Sequence, residues 1–196
     1  MHKRRRGYTV IEVIVAISLL IIASSGVVAL QKVTVQGNGH ARELATASQV
    51  ARTWVERLRA DATMWTTSPT NGGISNINKT TWLNQVEVAP LVWFRPTPSA
   101  QGSPGADIQG NDVPAASLPN AFFCTHVRLA WMFPNDTIRA EVRVVWSRTT
   151  SMLGGFGSLP VCSDNQNIAA FSAVGTPLER YNFAYLTSSV VRNVPQ

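Results

Sequence analysis

The groups that carry reaction chemistry are scarce in this chain. Two cysteines are too few for a four-cysteine zinc site. Asp107, Asp112, Asp136 and Asp164 are scattered and lack the alternate-residue series of an EF-hand. No glycine-rich phosphate loop is present. Glu12, His40 and His126 have no spacing that joins them into a base and a nucleophile. His126 alternates within a candidate strand and reads as structural. These gaps argue against an enzyme and call for no metal or cofactor.

Proline is missing from Tyr8 to Leu30, and so is charge except at Glu12. A helix over that run would be about 34 Å long at roughly 1.5 Å per residue, enough to cross a hydrocarbon core of about 30 Å. The basic flank Lys3 to Arg6 favours a cytoplasmic N-terminus, with everything after Leu30 outside. A secretory signal peptide also has a basic head, but with a shorter apolar region that ends at small residues. Ser24, Ser25 and Gly26 keep that alternative open. A carboxylate costs about 2.5 to 3.5 kcal/mol at mid-bilayer and less toward the interface. Glu12 therefore needs either headgroup surroundings or a partner. Cleavage after Gly7 would create a charged amine on Tyr8, and the amine of a neighbouring subunit would then be such a partner.

The excess positive charge is largely local. Four of the 17 Lys and Arg residues lie in Lys3 to Arg6, so removing Met1 to Gly7 leaves 13 against 11 acids, or +2, where the full chain has +6. That balance weakens any case for a nucleic-acid partner. Arg52, Arg57 and Arg59 are accompanied by Glu56 and Asp61, which reads as a mixed-sign solvated face.

Leu44, Ser48, Ala51, Val55, Leu58, Ala62 and Trp65 recur at intervals of four and three. This predicts a helix with one buried face from His40 to Trp65. Without a break, Tyr8 to Trp65 would be one helix. Its weak point is Gly37-Asn38-Gly39, where two glycines cost about 2 kcal/mol relative to alanine. Thr66 to Thr81 reads as a loop, and Trp82 to Trp93 as a short strand or irregular connection. The five prolines from Pro96 to Pro119 predict a long exposed excursion, either a contact surface or a variable loop.

Phe123 to Phe133 and Ile138 to Ser147 alternate around a Pro134-Asn135-Asp136-Thr137 turn, predicting an antiparallel hairpin with one apolar face. Asn135-Asp136-Thr137 also matches a glycosylation sequon, and a turn is its simpler reading. Tyr185 to Val191 predicts a final strand. Packing the hairpin on the helix stripe gives an α+β fold with a long N-terminal helix on an antiparallel sheet. Cys124 and Cys162 could pair in an oxidising exterior, which stabilises by roughly 4 kcal/mol on the chain-entropy estimate. Two free thiols are the alternative.

The N-terminal segment Gly7-Tyr8-Thr9-Val10-Ile11-Glu12-Val13 resembles that of the type IV pilins and of the pseudopilins of type II secretion. Val10 stands where Leu is common and Tyr8 where Phe is common. The resemblance covers about the first 30 residues. It implies a leader, residues 1–7, that prepilin peptidase removes after Gly7, and N-methylation of Tyr8. It implies a transmembrane and assembly helix over 8–30, continued over 31–65, and a head over 66–196 with a variable loop at 96–119. Glu12 would guide subunit addition, and a Cys124–Cys162 loop would form a recognition edge.

The implied place is the bacterial inner membrane, in a single pass with the head in the periplasm, and then a pilus at the cell surface. Implied partners are other minor and major pilins, the inner-membrane assembly platform, prepilin peptidase and, for a tip position, an adhesin. The Glu12 to Ala16 stretch and Arg143-Val144-Val145-Trp146 look most like the pilus-modification minor pilins, which prime or cap assembly. A minor pseudopilin of type II secretion is the alternative. Another is a tip adhesin or DNA-uptake component that uses Pro96 to Pro119 with Trp82 or Trp93. Some relatives hold calcium in a loop, which this sequence does little to suggest.

Overall fold

The computed structural model describes residues 9–66, 75–147, 162 and 181–193. In chain order its elements are α1 (Val10–Asp61), α2 (Gln85–Val88), β1 (Gly105–Ala106), β2 (Phe123–Phe133), β3 (Thr137–Ser147) and β4 (Tyr181–Val191). The chain divides into two units, residues 1–42 and 43–196.

In the first unit every residue from Thr9 to Arg42 is exposed. α1 is long and apolar enough there to cross a membrane by length and composition. Its hydroxyls make no demand on outside partners. Ser18 donates to the Ile14 carbonyl at 2.8 Å, Ser24 to Ile21 at 3.0 Å, Ser25 to Ile22 at 2.8 Å and Thr34 to Leu30 at 2.9 Å. Such back-bonding satisfies polar groups within the helix itself, as a surface in contact with lipid would require. Helix continues through Gly37 and Gly39, because glycine weakens a helix but, unlike proline, keeps its N–H in the ladder.

In the second unit α1 buries Ala47, Val50, Ala51, Trp54, Val55 and Leu58, and Ala62 and Trp65 beyond its end are buried too. The expected stripe is therefore correct at its C-terminal end and displaced at its start. Leu44 is 45% exposed, and Ser48 turns its hydroxyl back to the Leu44 carbonyl. The bulk of Trp54 sets the direction. Its ring meets Trp82 edge-on at 5.1 Å between centroids, a favourable aromatic geometry. That contact pulls Ala47 and Val50 under the sheet in place of Leu44.

Asp61 corrects the mixed-sign face. It is buried, and its carboxylate accepts the Thr81 N–H at 2.7 Å, that of Trp82 at 2.8 Å and that of Leu83 at 3.0 Å. Three donors compensate a charge that would be costly to bury alone. They also fix where the chain returns after the helix. Ile77–Lys79 forms a single turn, and residues 67–74 of the expected loop lie outside those described. The connection from Trp82 contains α2, a short helix where a strand or irregular connection was expected.

The four strands lie in the order β1-β2-β3-β4, all antiparallel. Phe123, Val127 and Leu129 of β2 and Ile138, Ala140, Val142, Val144 and Trp146 of β3 share the core with the helix stripe. The hairpin forms as read, around a turn in which Asn135 takes a positive φ of 59°, tolerable for asparagine. β4 begins four residues before the predicted Tyr185. Its first residues, Tyr181 to Ala184, pair with Val144 to Ser147, so the β3 partner sets its length more than its own alternation does.

The hairpin does not keep a single apolar face. On the far side, Cys124, Val145 and Tyr181 are buried with Leu118, Ala121 and Cys162. Nor is Pro96 to Pro119 exposed throughout, although Thr97, Pro98, Ile108, Gln109 and Pro114 to Ala116 are. Pro96, Gly102, Ser103, Pro104, Ala106 and Leu118 are buried, and β1 adds to the sheet edge at Gly105↔Cys124. Proline and glycine here permit close packing as well as turns. A Cβ on Gly105 would lie 2.6 Å from Leu118 Cδ2, a distance no methyl tolerates. Arg57 ties the segment down by donating to both carboxylate oxygens of Asp112, at 3.1 and 2.6 Å.

Replacing Asp61 with Ala leaves three main-chain donors without that acceptor. Urea unfolding of the full chain in detergent, followed by tryptophan fluorescence, is expected to show a loss of about 3 kcal/mol. A change under 0.5 kcal/mol, roughly the scale of an ordinary surface substitution, would refute the anchoring role.

Candidate functional site

The N-terminal helix presents the largest exposed apolar surface among the described residues. Val10, Ile11, Leu19, Leu20, Ile21, Ile22, Val28 and Leu30 are each more than 60% exposed. They lie on all sides of the helix, as suits lipid or the helices of other subunits and not one packed face. Glu12 is the single charge in this band, and its main-chain N–H is capped by the Thr9 carbonyl at 3.1 Å. Its carboxylate has no partner among the described residues. An acid exposed on an apolar surface can carry out recognition by charge pairing. Gly7 and Tyr8, expected at the cleavage point, lie outside the described residues.

The head holds a second concentration of charge, on the sheet face turned away from α1. His126 and Arg143 lie opposite each other in the β2–β3 register and are both 1% exposed. Arg143 Nε donates to His126 Nδ1 at 3.1 Å, which requires that nitrogen to be unprotonated. Burial first, and then the guanidinium groups of Arg143 and Arg95, push the His126 pKa down to about 3. Burial also draws Arg143 below the ordinary arginine value, opposed by Tyr185. Two guanidinium groups lie over the Trp93 ring, Arg143 at 4.4 Å and Arg128 at 4.8 Å from its centroid, which offsets part of the cost of burying Arg143. Glu141 accepts from Arg128 and pairs with Arg139.

Cys124 and Cys162 are joined in a disulfide with Cα atoms 5.2 Å apart. Arg95 donates to the Cys162 carbonyl at 2.8 Å, so the crosslink and the arginine cluster hold the same end of the sheet. The rest of the Cys162 return, residues 148–161 and 163–180, lies outside the described residues. Trp82 is 1% exposed and donates to the Thr97 carbonyl at 3.0 Å. It is therefore a core residue and unavailable as a ligand contact. Trp93 is partly exposed but committed to its arginines.

Among the described residues no three His, Cys, Asp or Glu side chains converge as a metal site would require. The arrangement of the described residues is one of packing and charge pairing. Sequence reasoning singled out Glu12 and allowed for the Cys124–Cys162 pair, but missed the contacts of Arg143 and Arg128 with Trp93 and the Arg57–Asp112 tie. The weak signal for the Trp93 contacts was arginine alternating with the core residues, on the face turned away from α1, where a buried charge demands a partner the local sequence does not name.

Residues 2–28 match the family model of the prokaryotic N-terminal methylation motif. No curated protein and no solved structure matches the chain. The motif supports the resemblance to type IV pilins and pseudopilins, on a chain with a long apolar N-terminal helix and an antiparallel sheet.

The depressed His126 pKa sets a pH dependence. The folded state binds a proton less readily than the unfolded chain, so stability from this group is complete above about 6.5. It declines as pH falls toward about 3. Between pH 6.5 and 4.5 the urea unfolding free energy should fall by up to about 1.4 kcal/mol per pH unit. His126→Gln, which keeps an acceptor for Arg143, should flatten that slope; equal slopes in both proteins would exclude the assignment.

Proposed function

We propose that this type IV pilin-like chain, a structural subunit and not an enzyme, is a minor pilin that primes or caps a type IV pilus. The observation that carries the proposal is the Glu12 carboxylate, without a partner among the described residues, on an exposed apolar helix inside the matched motif. In this reading prepilin peptidase cuts after Gly7 at the inner membrane, and the amine of Tyr8 is methylated. The subunit waits as a single-pass protein with its head in the periplasm. Its helix then leaves the lipid for a bundle of neighbouring helices.

Inside such a bundle the cost of burying Glu12 is offset when the terminal amine of another subunit lies beside it. The pair sets register, because a helix displaced along its axis would leave both charges unmatched. The apolar band supplies cohesion without direction, and the acid supplies direction. Pairing of this kind needs other pilins and the inner-membrane assembly platform as partners. The minor, pilus-modifying subtype rests on the resemblance of Glu12 to Ala16 and of Arg143 to Trp146.

Coexpression with prepilin peptidase is expected to yield a mature chain starting at Tyr8, read by N-terminal mass analysis. Retained Met1 to Gly7, or cleavage near Gly26, would sink the reading. Glu12→Ala should leave insertion and processing intact and lower recovery in sheared filaments; unchanged recovery would remove the pairing role. Deleting the gene separates the machines, since normal pili with lost protein export would indicate a type II secretion pseudopilin instead.

A further inference from the structure

The two edges of the sheet are treated differently. Along β2 the outer edge is dressed. β1 pairs at Gly105 and Ala106, Phe94 exchanges main-chain hydrogen bonds with Val127 at 2.9 and 2.8 Å, and the Leu91 N–H reaches the Leu129 carbonyl at 2.9 Å. Leu91 takes a φ of 64° to do so, a conformation that costs energy for a leucine. Along β4 no strand pairs with the outer edge among the described residues.

β4 is also unprotected by its composition. Its register with β3 runs without a shift from Thr137↔Val191 to Ser147↔Tyr181, so no bulge twists it away. Tyr181 to Val191 contains no Lys, Arg, Asp, Glu, Pro or Gly. Natural edges are ordinarily kept from pairing by those devices or by brevity, and β4 has none of them over 11 residues. From Ala184 to Val191 alternate N–H and C=O groups point away from β3, a pattern that an extended backbone satisfies.

We infer that the outer edge of β4, from Ala184 to Val191, accepts an extended strand donated by a neighbouring protein subunit of the same assembly; this rests on the filament-subunit reading. The surrounding charge selects against a polyanion. Arg59, which donates to Ser188 at 3.0 Å, is paired with Glu56 at 2.7 Å, and Arg139, opposite Ser189, is paired with Glu141 at 3.1 Å. A neutral edge fits a neutral strand. On the core side the donated strand would lie beside Ala184, Leu186 and Val190 and carry apolar side chains. On the outer side, beside Tyr185, Thr187 and Ser189, it would carry aromatic or uncharged polar ones.

The test compares the wild-type chain with Thr187→Lys/Ser189→Lys and Thr187→Val/Ser189→Thr in cells lacking the native copy. Thr187 and Ser189 are exposed, so lysine there opposes strand addition. The lysine variant should reach the membrane and be processed normally, while its recovery in sheared filaments falls about tenfold; the valine–threonine variant should be recovered like wild type. In the purified full chain in detergent, alternate amides from Ala184 to Val191 should exchange hydrogen freely, which holds whether or not the lysine variant folds. Wild-type recovery of the lysine variant, or protection of those amides in the isolated chain, would overturn the inference. Absence of the wild-type chain from filaments would overturn the filament reading itself, and the inference with it.

Discussion

The head depends on how its helix is buried and then released. From Ala47 to Leu58 the helix lays apolar side chains under the sheet, with Trp54 as the bulkiest of them. At Asp61 a carboxylate takes three main-chain N–H groups from Thr81, Trp82 and Leu83. That anchor brings Trp82 onto Trp54, and from Trp82 the chain runs on to the Phe94 bridge on β2. A hydrophobic stripe alone would not choose this return path, because apolar burial has no direction. The hydrogen bonds to Asp61 supply it.

The two faces of the sheet solve different problems. Toward α1 the packing is apolar, and tryptophan N–H groups at its border are satisfied by Glu43, Ser75 and Thr97. Away from α1 the sheet buries Arg143 against neutral His126 and the Trp93 ring, and the Cys124–Cys162 crosslink lies at the same end. Polar burial of this kind stabilises only while every member has a partner. The head is thereby held rigid at one end of its sheet, while the opposite edge, along β4, remains unpaired among the described residues.

Much of the architecture is legible in local pattern. The apolar run with Glu12 as its only charge, the alternation of the hairpin and the turn at Asn135 each depend on residues close in sequence. The positions that went astray depend on distant ones. Leu44 and Ser48 satisfy helical periodicity as well as Ala47 and Val50 do, and only the placement of Trp54 against Trp82 decides between the two columns. The proline-rich segment reads as exposed because proline and glycine mark turns. The burial of Gly102 to Ala106 and of Leu118 within it follows from Arg57 reaching Asp112 across 55 residues and from the space that Gly105 leaves for Leu118.

What the sequence determined by itself is the chemistry of the N-terminal segment and the alternation of helix and strand, since periodicity and charge spacing are properties of neighbours. Tertiary structure decided which helix column is buried, that Asp61 is an anchor and not a solvated charge, and that Trp82 belongs to the core. It also decided that β4 keeps one edge free of other strands among the described residues. These outcomes are set by which groups meet across tens of residues, and a buried charge or an open backbone edge is defined only by the partner that reaches it.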